Sequence, residues 1–426
     1  MKNNNVYNTF KMRLAVFIFL GMIAMINLSE SAGPQDEELI KKLEGIFYLD
    51  GSPVEIEIGA GIIRKITRIQ NLKNTQNNDV FIAPGFIDHQ VNGCLGIEFS
   101  NTELTMEKVY DATRTLWKAG VTTYLPTLTT NSKETLLHGF SVLAKSLNEN
   151  LLLKRSIAGF HLEGPYISPV DGYRGAHNKQ WVRPPDWQEF LELYDAADKQ
   201  ILQVTVAPEV EGAIEFIQKC TQLGIKVSIG HHNASAEIIE KAADAGAVLS
   251  THLGNGCANM INRHLNPLWP QLAEDRLMIS IICDGFHLQP EEVKTFFKVK
   301  GIDHTLITSD AGNLAGLPPG TYESNGKELQ VTLEGMIKYP AQNVLAGSAS
   351  FIDKGVGNMM KFTGCRLADA VHMASRNQAT LFGLTDRGVL IPGKRADIVL
   401  FKLEDFQVKI QKTYLAGDLV YEVEEN

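Results

Sequence analysis

The 426-residue chain is short of cysteine, of clustered positive charge and of long apolar runs. Its five cysteines (Cys94, Cys220, Cys257, Cys283, Cys365) are odd in number and scattered, with no zinc-knuckle or redox-pair spacing. They read as small core residues, with Cys94 and Cys257 close to polar motifs. Lys and Arg total 40 against 49 Asp and Glu, a formal charge of −9. This excludes an extended nucleic-acid or anionic-membrane surface, which needs clustered Lys and Arg. A composition of 44% hydrophobic and 21% charged residues gives no case for disorder.

The one pronounced apolar run lies near the start. Lys11 and Arg13 precede residues 14–28, and small and polar residues follow. That is the layout of a signal peptide over residues 1–33, and it is short for a membrane span. No cysteine follows to carry a lipid anchor. The expectation is an exported, periplasmic protein, or a cytoplasmic one if the segment is only an N-terminal extension.

Two β-rich ends flank a different middle. "EGIFYLDGSPVEIEIGAGIIRKITRI" alternates and turns like a small sheet, with hairpin signals at Asp50-Gly51 and Gly59 to Gly61. "GVLIPGKRADIVLFKLEDFQVKIQKTYLAGDLVYE" has the same character. One small β-sandwich domain is expected from residues 34–82 and 389–426. Between them, residues 83–388 alternate apolar runs with helical patterns. The runs are "FIAPGFID", "TTYLPTLT", "SIAGFHLE", "LQVTVAPE", "KVSIGHH", "AVLSTHL", "MISIICDG" and "TLITSDA". Eight strand-then-helix units predict a (β/α)8 TIM-type barrel, with a doubly wound sheet as the competitor. Asp88, Glu163, His231, His252, Asp284 with His287, and Asp310 end these runs. In a barrel those ends converge on one mouth, whereas an open sheet spreads them along an edge.

Glu163, His231 and His252, from three strands, form a His2Glu set that suits zinc and leaves a coordination position for water. Asp310 is placed to take a proton from that water and return it to a leaving amine, and His287 to stabilise charge on a carbonyl oxygen. Each has an ordinary structural explanation: Glu163 could pair with Arg174, Asp310 could cap a helix, and either histidine could be a satisfied core residue. Together at one mouth they favour a site. His161, His177, His232 and His264 are read as structural, with a loop contact open for His177.

"APGFIDHQVNG", "HLEGPY" with "RGAHN", "GHHNA", "THLGNG", "CDGFHL" and "TSDA", in this order, resemble the N-acetylglucosamine-6-phosphate deacetylase family of the amidohydrolase superfamily. The closing "LIPGKRADIVLF" resembles that superfamily's return to its small β-domain. The resemblance implies one divalent metal on Glu163, His231 and His252, catalysis by Asp310 with His287, and release of acetate from an amino-sugar substrate. It also implies sugar contacts at His287, Asn255 and Gly256, and a phosphate contact by Arg263 reaching into a neighbouring subunit, hence a homodimer. Gly254 departs from the family's aromatic in "HLYNAM". Another amidohydrolase, acting on N-acyl amino acids or cyclic amides, and a non-catalytic sugar-binding barrel stay open.

In "IDHQVNG", alternation puts Asp88, Gln90 and Asn92 on one strand face and His89 on the other. The "HxH" of two-metal amidohydrolases is replaced by Gln90 and Asn92, which reads as one metal and assigns the amides to substrate or water contacts. His89 is expected behind the barrel wall. The stretches "GPYISPVDGYRGAHNKQWVRPP" and "AGNLAGLPPGTYESNG" are expected as long loops over the site.

Overall fold

A computed structural model describes residues 40–73, 79–324 and 326–424. Residues 1–33, expected as a signal peptide or N-terminal extension, lie outside the described residues. Strands β1 (Lys41–Phe47), β2 (Pro53–Gly59), β3 (Ile62–Arg68) and β4 (Val80–Pro84) come first. β5 (Phe86–Val91) begins a second sheet and is followed by the short pair β6 (Gly93–Cys94) and β7 (Ile97–Glu98). Next come β8 (Val121–Thr129), β9 (Phe160–Glu163), β10 (Ile201–Val206) and β11 (Lys226–Ile229). β12 (Ala247–Ser250), β13 (Met278–Ile282) and β14 (Thr305–Thr308) complete the set. β5 and β8 to β14 lie side by side in sequence order, all parallel, as a (β/α)8 barrel. Helices such as Met106–Lys118, Lys133–Glu149 and Ala236–Asp244 cover its outside, their first turns capped by Thr105, Ser132 and Ser235. With both faces covered, β5, β9 and β14 are buried along their whole length, so they read as unbroken apolar runs.

The barrel closes through side chains. A single parallel bridge links Val91 of β5 to Ala311, three residues past β14, and beside it Asn92 N donates to Ala311 O at 2.9 Å. Below it the buried Asp88 carboxylate spans the seam: Oδ1 accepts from Thr308 Oγ1 at 2.7 Å and from Ser309 N at 3.2 Å.

Two elements differ from the reading of the sequence. "FIAPGFID" is not one strand: Gly85 divides it, leaving β4 in the small sheet and β5 in the barrel. A Cβ at Gly85 would lie 2.2 Å from Thr122 Oγ1 on β8, so the crossing needs a residue with no side chain. The segment after Asp310 also holds more than a loop. It forms an antiparallel sheet of β15 (Gly320–Ser324), β16 (Lys327–Val331), β17 (Met336–Tyr339) and β18 (Val344–Ser348). This sheet has its own small core of Leu314, Leu329, Val331 and Ile337. Its strands are four or five residues long and largely open on one side, too short for alternation to register.

β19 (Ile398–Glu404), β20 (Gln407–Leu415) and β21 (Asp418–Glu422) return to the first sheet, giving the order β21-β20-β19-β4-β1-β2-β3. The small β-sandwich domain thus draws on both chain ends. Phe401 joins it to the barrel, with ring centroids 5.8 Å from Phe81 and 6.3 Å from Phe86. No helix among the described residues is long and apolar enough to cross a membrane.

Burial pushes the Asp88 carboxyl up to about 6, against the hydrogen bonds from Ser309 and Thr308. A folded-state pKa above the unfolded value of about 3.9 contributes stability below pH 4 that is lost as pH rises through about 6. Asp88→Asn keeps the size and removes the titration. Relative to wild type, it is expected to gain up to about 3 kcal/mol between pH 4 and pH 7.5 in urea unfolding. A difference independent of pH would refute this role.

Candidate active site

The polar strand ends meet at one mouth. Glu163 closes β9, and His231, His252 and Asp310 each stand two residues past the ends of β11, β12 and β14. These last three adopt left-handed backbone, with φ of 52°, 30° and 49°. Each such non-glycine costs of order 1–3 kcal/mol. The turn it makes swings a polar side chain into the mouth while the flanking backbone stays in the ladder.

Glu163 Oε1 is the hub. It lies 3.0 Å from His252 Nε2 and 3.2 Å from His231 Nε2, and it accepts from Gln90 Nε2 at 2.9 Å. Burial opposes charge on Glu163, but the two imidazoles hold its carboxyl well below the usual range. Burial also works against charge on His252, yet Glu163 outweighs it and raises that pKa. The ligand atoms of Glu163, His231 and His252 all lie within 4.8 Å of one another.

His231 tests whether this set fits a cation. Its Nδ1 is 3.1 Å from the Tyr173 carbonyl and so must carry the proton. With the hydrogen there, Nε2 presents a lone pair toward Glu163 Oε1, 3.2 Å away, and lies 3.2 Å from His177 Nε2. Converging lone pairs on one point suit a metal and are unfavourable without a cation or proton between them. Tetrahedral ligands at about 2.0–2.2 Å stand about 3.3–3.6 Å apart, a few tenths of an ångström beyond the two Glu163-to-histidine separations here.

Asp310 faces this set. Its Oδ1 accepts from both Gln90 Nε2 (3.0 Å) and Asn92 Nδ2 (2.8 Å). Burial, and then the negative charge of Glu163, push its carboxyl up to about 7. His287 lines the cleft with Nδ1 held 2.7 Å from Asp284 Oδ2. Asp284 also accepts from the backbone N–H of Phe286 and His287 and from Ser348 Oγ. Burial works against its charge, but the His287 contacts bring its pKa down to about 2. The imidazole therefore turns about a fixed anion, with Nε2 left for the cleft.

The remaining expected residues divide. Asn255 and Gly256 line the cleft, and Asn255 Nδ2 is buried with no protein partner. Gly256 sits at φ 59°, where a Cβ would come 2.8 Å from the His231 ring. Gln90, expected as a substrate or water contact, is fully buried, and its Nε2 bridges Glu163 and Asp310. Asn92 reaches the cleft, but its amide N–H is likewise given to Asp310. Arg263 is exposed and does not line its own chain's cleft. His89 lies behind the wall, Nδ1 2.7 Å from Gln378 Oε1, with burial lowering its pKa to about 4.

Sequence reasoning passed over two residues. His177, read as structural, lines the cleft between Thr130 Oγ1 (2.8 Å) and His231. Its signal was the motif "RGAHN". Asp284 was seen only as a polar strand end, although its spacing of three from His287 suits an orienting pair.

Residues 81–420 match the Amidohydrolase family. The chain belongs to that family. Within it the chain falls with the N-acetylglucosamine-6-phosphate deacetylases, of which the Bacillus subtilis (strain 168) protein is 32% identical over 76% of this chain and 81% of its own. An N-acetylgalactosamine-6-phosphate deacetylase of Escherichia coli O157:H7 is 30% identical, over 86% and 94%. The crystal structure of the Thermotoga maritima N-acetylglucosamine-6-phosphate deacetylase superposes with a TM-score of 0.78 at 30% identity, covering 90% of this chain and all of that one. The superfamily is metal-dependent, and the triad here is a candidate site for the ion.

Glu163→Gln and His231→Asn are expected to reduce bound divalent metal from about one per chain to background in elemental analysis of purified protein. His89→Ala should retain it while lowering the melting temperature. A metal-free His89→Ala protein that is still folded would overturn the assignment.

Proposed function

We propose that this enzyme hydrolyses the N-acetyl group of an amino sugar, with N-acetylglucosamine 6-phosphate giving glucosamine 6-phosphate and acetate. One observation carries the reading: a buried His2Glu donor set and a proton-holding aspartate share a single cleft with an anion-backed histidine. The names of the relatives support the sugar. Glu163, His231 and His252 would hold one divalent metal, zinc being the ion that this donor set suits. When bound, the metal supplies a Lewis acid and brings a water's pKa toward about 7.

This chain's residues do the rest. Asp310 has Oδ1 occupied by two amides, which leaves Oδ2 to take a proton from the attacking water. The water oxygen adds to the acetyl carbonyl carbon, and Asp310 returns the proton to nitrogen as the C–N bond breaks. His287, held through Nδ1 by Asp284, turns its Nε2 edge to the carbonyl oxygen as negative charge develops on it. Asn255 offers its unpartnered amide to a sugar hydroxyl. No Lys or Arg is found among the described residues lining the cleft. A 6-phosphate therefore calls for Arg263 of a second copy, and a homodimer is part of the proposal. Exposed Met260 (92%), Leu265 (85%) and Trp269 (54%) around Arg263 support such a contact. The apolar run at residues 14–28 behind Lys11 and Arg13 supports export.

Acetate release from N-acetylglucosamine 6-phosphate tests the reading, with the C4 epimer in parallel. Turnover should be lost with chelator and return with zinc. Asp310→Asn should lower kcat by about 10²–10⁴ with KM little changed. Arg263→Ala should raise KM for the phosphorylated sugar alone. No acetate from any N-acetylated sugar, with metal present, would sink the proposal.

A further inference from the structure

The sheet of β15 to β18 returns to the barrel beside the aspartate proposed to carry the proton. β18 ends at Ser348, which is 1% exposed and forms a parallel bridge with Ala311. The Ser348 backbone grips the turn at Asp310 on both sides. Its N donates to Asp310 O at 2.8 Å, and its O accepts from Gly312 N at 2.9 Å. This is the left-handed turn with φ 49° at Asp310. Two glycines allow so close an approach: a Cβ at Gly347 would stand 3.0 Å from Gly312 Cα, and one at Gly312 would stand 3.1 Å from Ala346 O. The position of Ser348 is thereby fixed relative to Asp310.

The Ser348 hydroxyl reaches the anion behind the histidine. Its Oγ accepts from Ser350 N at 3.0 Å, which leaves its one proton for an acceptor. Asp284 Oδ2 lies at 3.2 Å and Ser350 O at 3.4 Å, and the carboxylate is both the nearer and the stronger acceptor. The same Oδ2 accepts from His287 Nδ1 at 2.7 Å, while Oδ1 accepts from Phe286 N at 2.8 Å and His287 N at 2.9 Å. Of these four donors, three belong to the short turn that carries Asp284 itself. Those three would let carboxylate and imidazole shift together as a unit. Ser348 comes from a different segment and ties that unit to the rest of the mouth.

We propose that Ser348 is a positioning residue that sets His287 in register with Asp310. Its backbone is locked to the turn of one, and its hydroxyl to the carboxylate that holds the other. The inference rests on the deacetylase reading, in which His287 serves the carbonyl oxygen and Asp310 the nitrogen of the same amide. Their separation then has to be kept, since a misplacement of about 1 Å can cost about 10²-fold in rate.

Ser348→Ala removes the hydroxyl and leaves the backbone contacts in place. On the zinc-loaded enzyme with N-acetylglucosamine 6-phosphate, it should lower kcat about tenfold or more, the weight of one hydrogen bond to a charged group, with KM little changed. In a His287→Asn background the same change should cost no more than about twofold, because a residue that acts through His287 has nothing left to position. Equal losses in the two backgrounds, or a Ser348→Ala enzyme as fast as wild type, would overturn the proposal. A second readout needs no turnover. The His287 Nδ1 proton, in a short bond to a carboxylate, should give a downfield NMR signal that disappears in His287→Asn and shifts in Ser348→Ala. If wild type releases no acetate from any N-acetylated sugar, the deacetylase reading falls and this signal decides alone. A shifted signal then sustains the positioning of His287 by Ser348, and an unchanged one removes it.

Discussion

The site turns on one oxygen, Glu163 Oε1, toward which side chains from three other strands are directed. A carboxylate only 3% exposed is unfavourable unless its lone pairs are met. Here β5 supplies an amide N–H, and the turns after β11 and β12 supply two imidazoles. No local segment could do this, because the four contributors are spread from residue 90 to residue 252. They meet only when the barrel is closed. Closure itself depends on a second buried carboxylate, Asp88, two residues before Gln90 on the same strand face. One face of β5 thus joins the barrel and orders its mouth. The left-handed turns at His231, His252 and Asp310 persist because the parallel ladders beneath them hold the chain on both sides.

Gln90 shows why an amide suits this position in a mouth with two facing carboxylates. Its NH2 group has two protons, and they go to different acids: Glu163 Oε1 at 2.9 Å and Asp310 Oδ1 at 3.0 Å. An imidazole at the same place could direct one N–H at one of them. The shared amide keeps the two carboxylates in register without joining them in a single charge. Their surroundings then separate their roles. Glu163, against two imidazoles, stays ionised, while Asp310, buried and close to the negative charge of Glu163, holds a proton into the neutral range. Dividing two acids in this way is what a hydrolytic site needs when one must bind a cation and the other must carry protons.

Much of this was legible in the chain. Parallel strands covered on both faces must be apolar throughout, so the eight runs stood out, and polar residues at their ends had only the mouth to occupy. The reading failed where a contact rather than a pattern decided. Gly85 looks like a turn inside one strand, and only its closeness to Thr122 on β8 shows that it passes the chain between two sheets. The small sheet of β15 to β18 lacks the length for periodicity. Gln90 and Asn92 were placed on the correct face, but alternation specifies a direction and not a partner. Their partners are carboxylates from β9 and the turn after β14. His177 was hidden for a similar reason, since a histidine in a glycine-rich loop has no period to report where it points.

Charge accounting connects the cleft with the outside of the molecule. Four carboxylates line it, Glu98, Glu163, Glu292 and Asp310, and no Lys or Arg does so among the described residues. A divalent metal held by the candidate triad would offset the charge near Glu163. A phosphate on a substrate would add about two further negative charges at neutral pH. The local field therefore discriminates against such a group unless a cation arrives from elsewhere. Arg263 is eleven residues beyond His252, exposed, and surrounded by large apolar side chains that face solvent in the single chain. The segment that delivers a metal donor inward thus carries an arginine and a sticky surface outward. Under the proposed function, a phosphorylated ring would be met by that arginine across a contact between copies. On that proposal, phosphate recognition and assembly of two copies are one requirement.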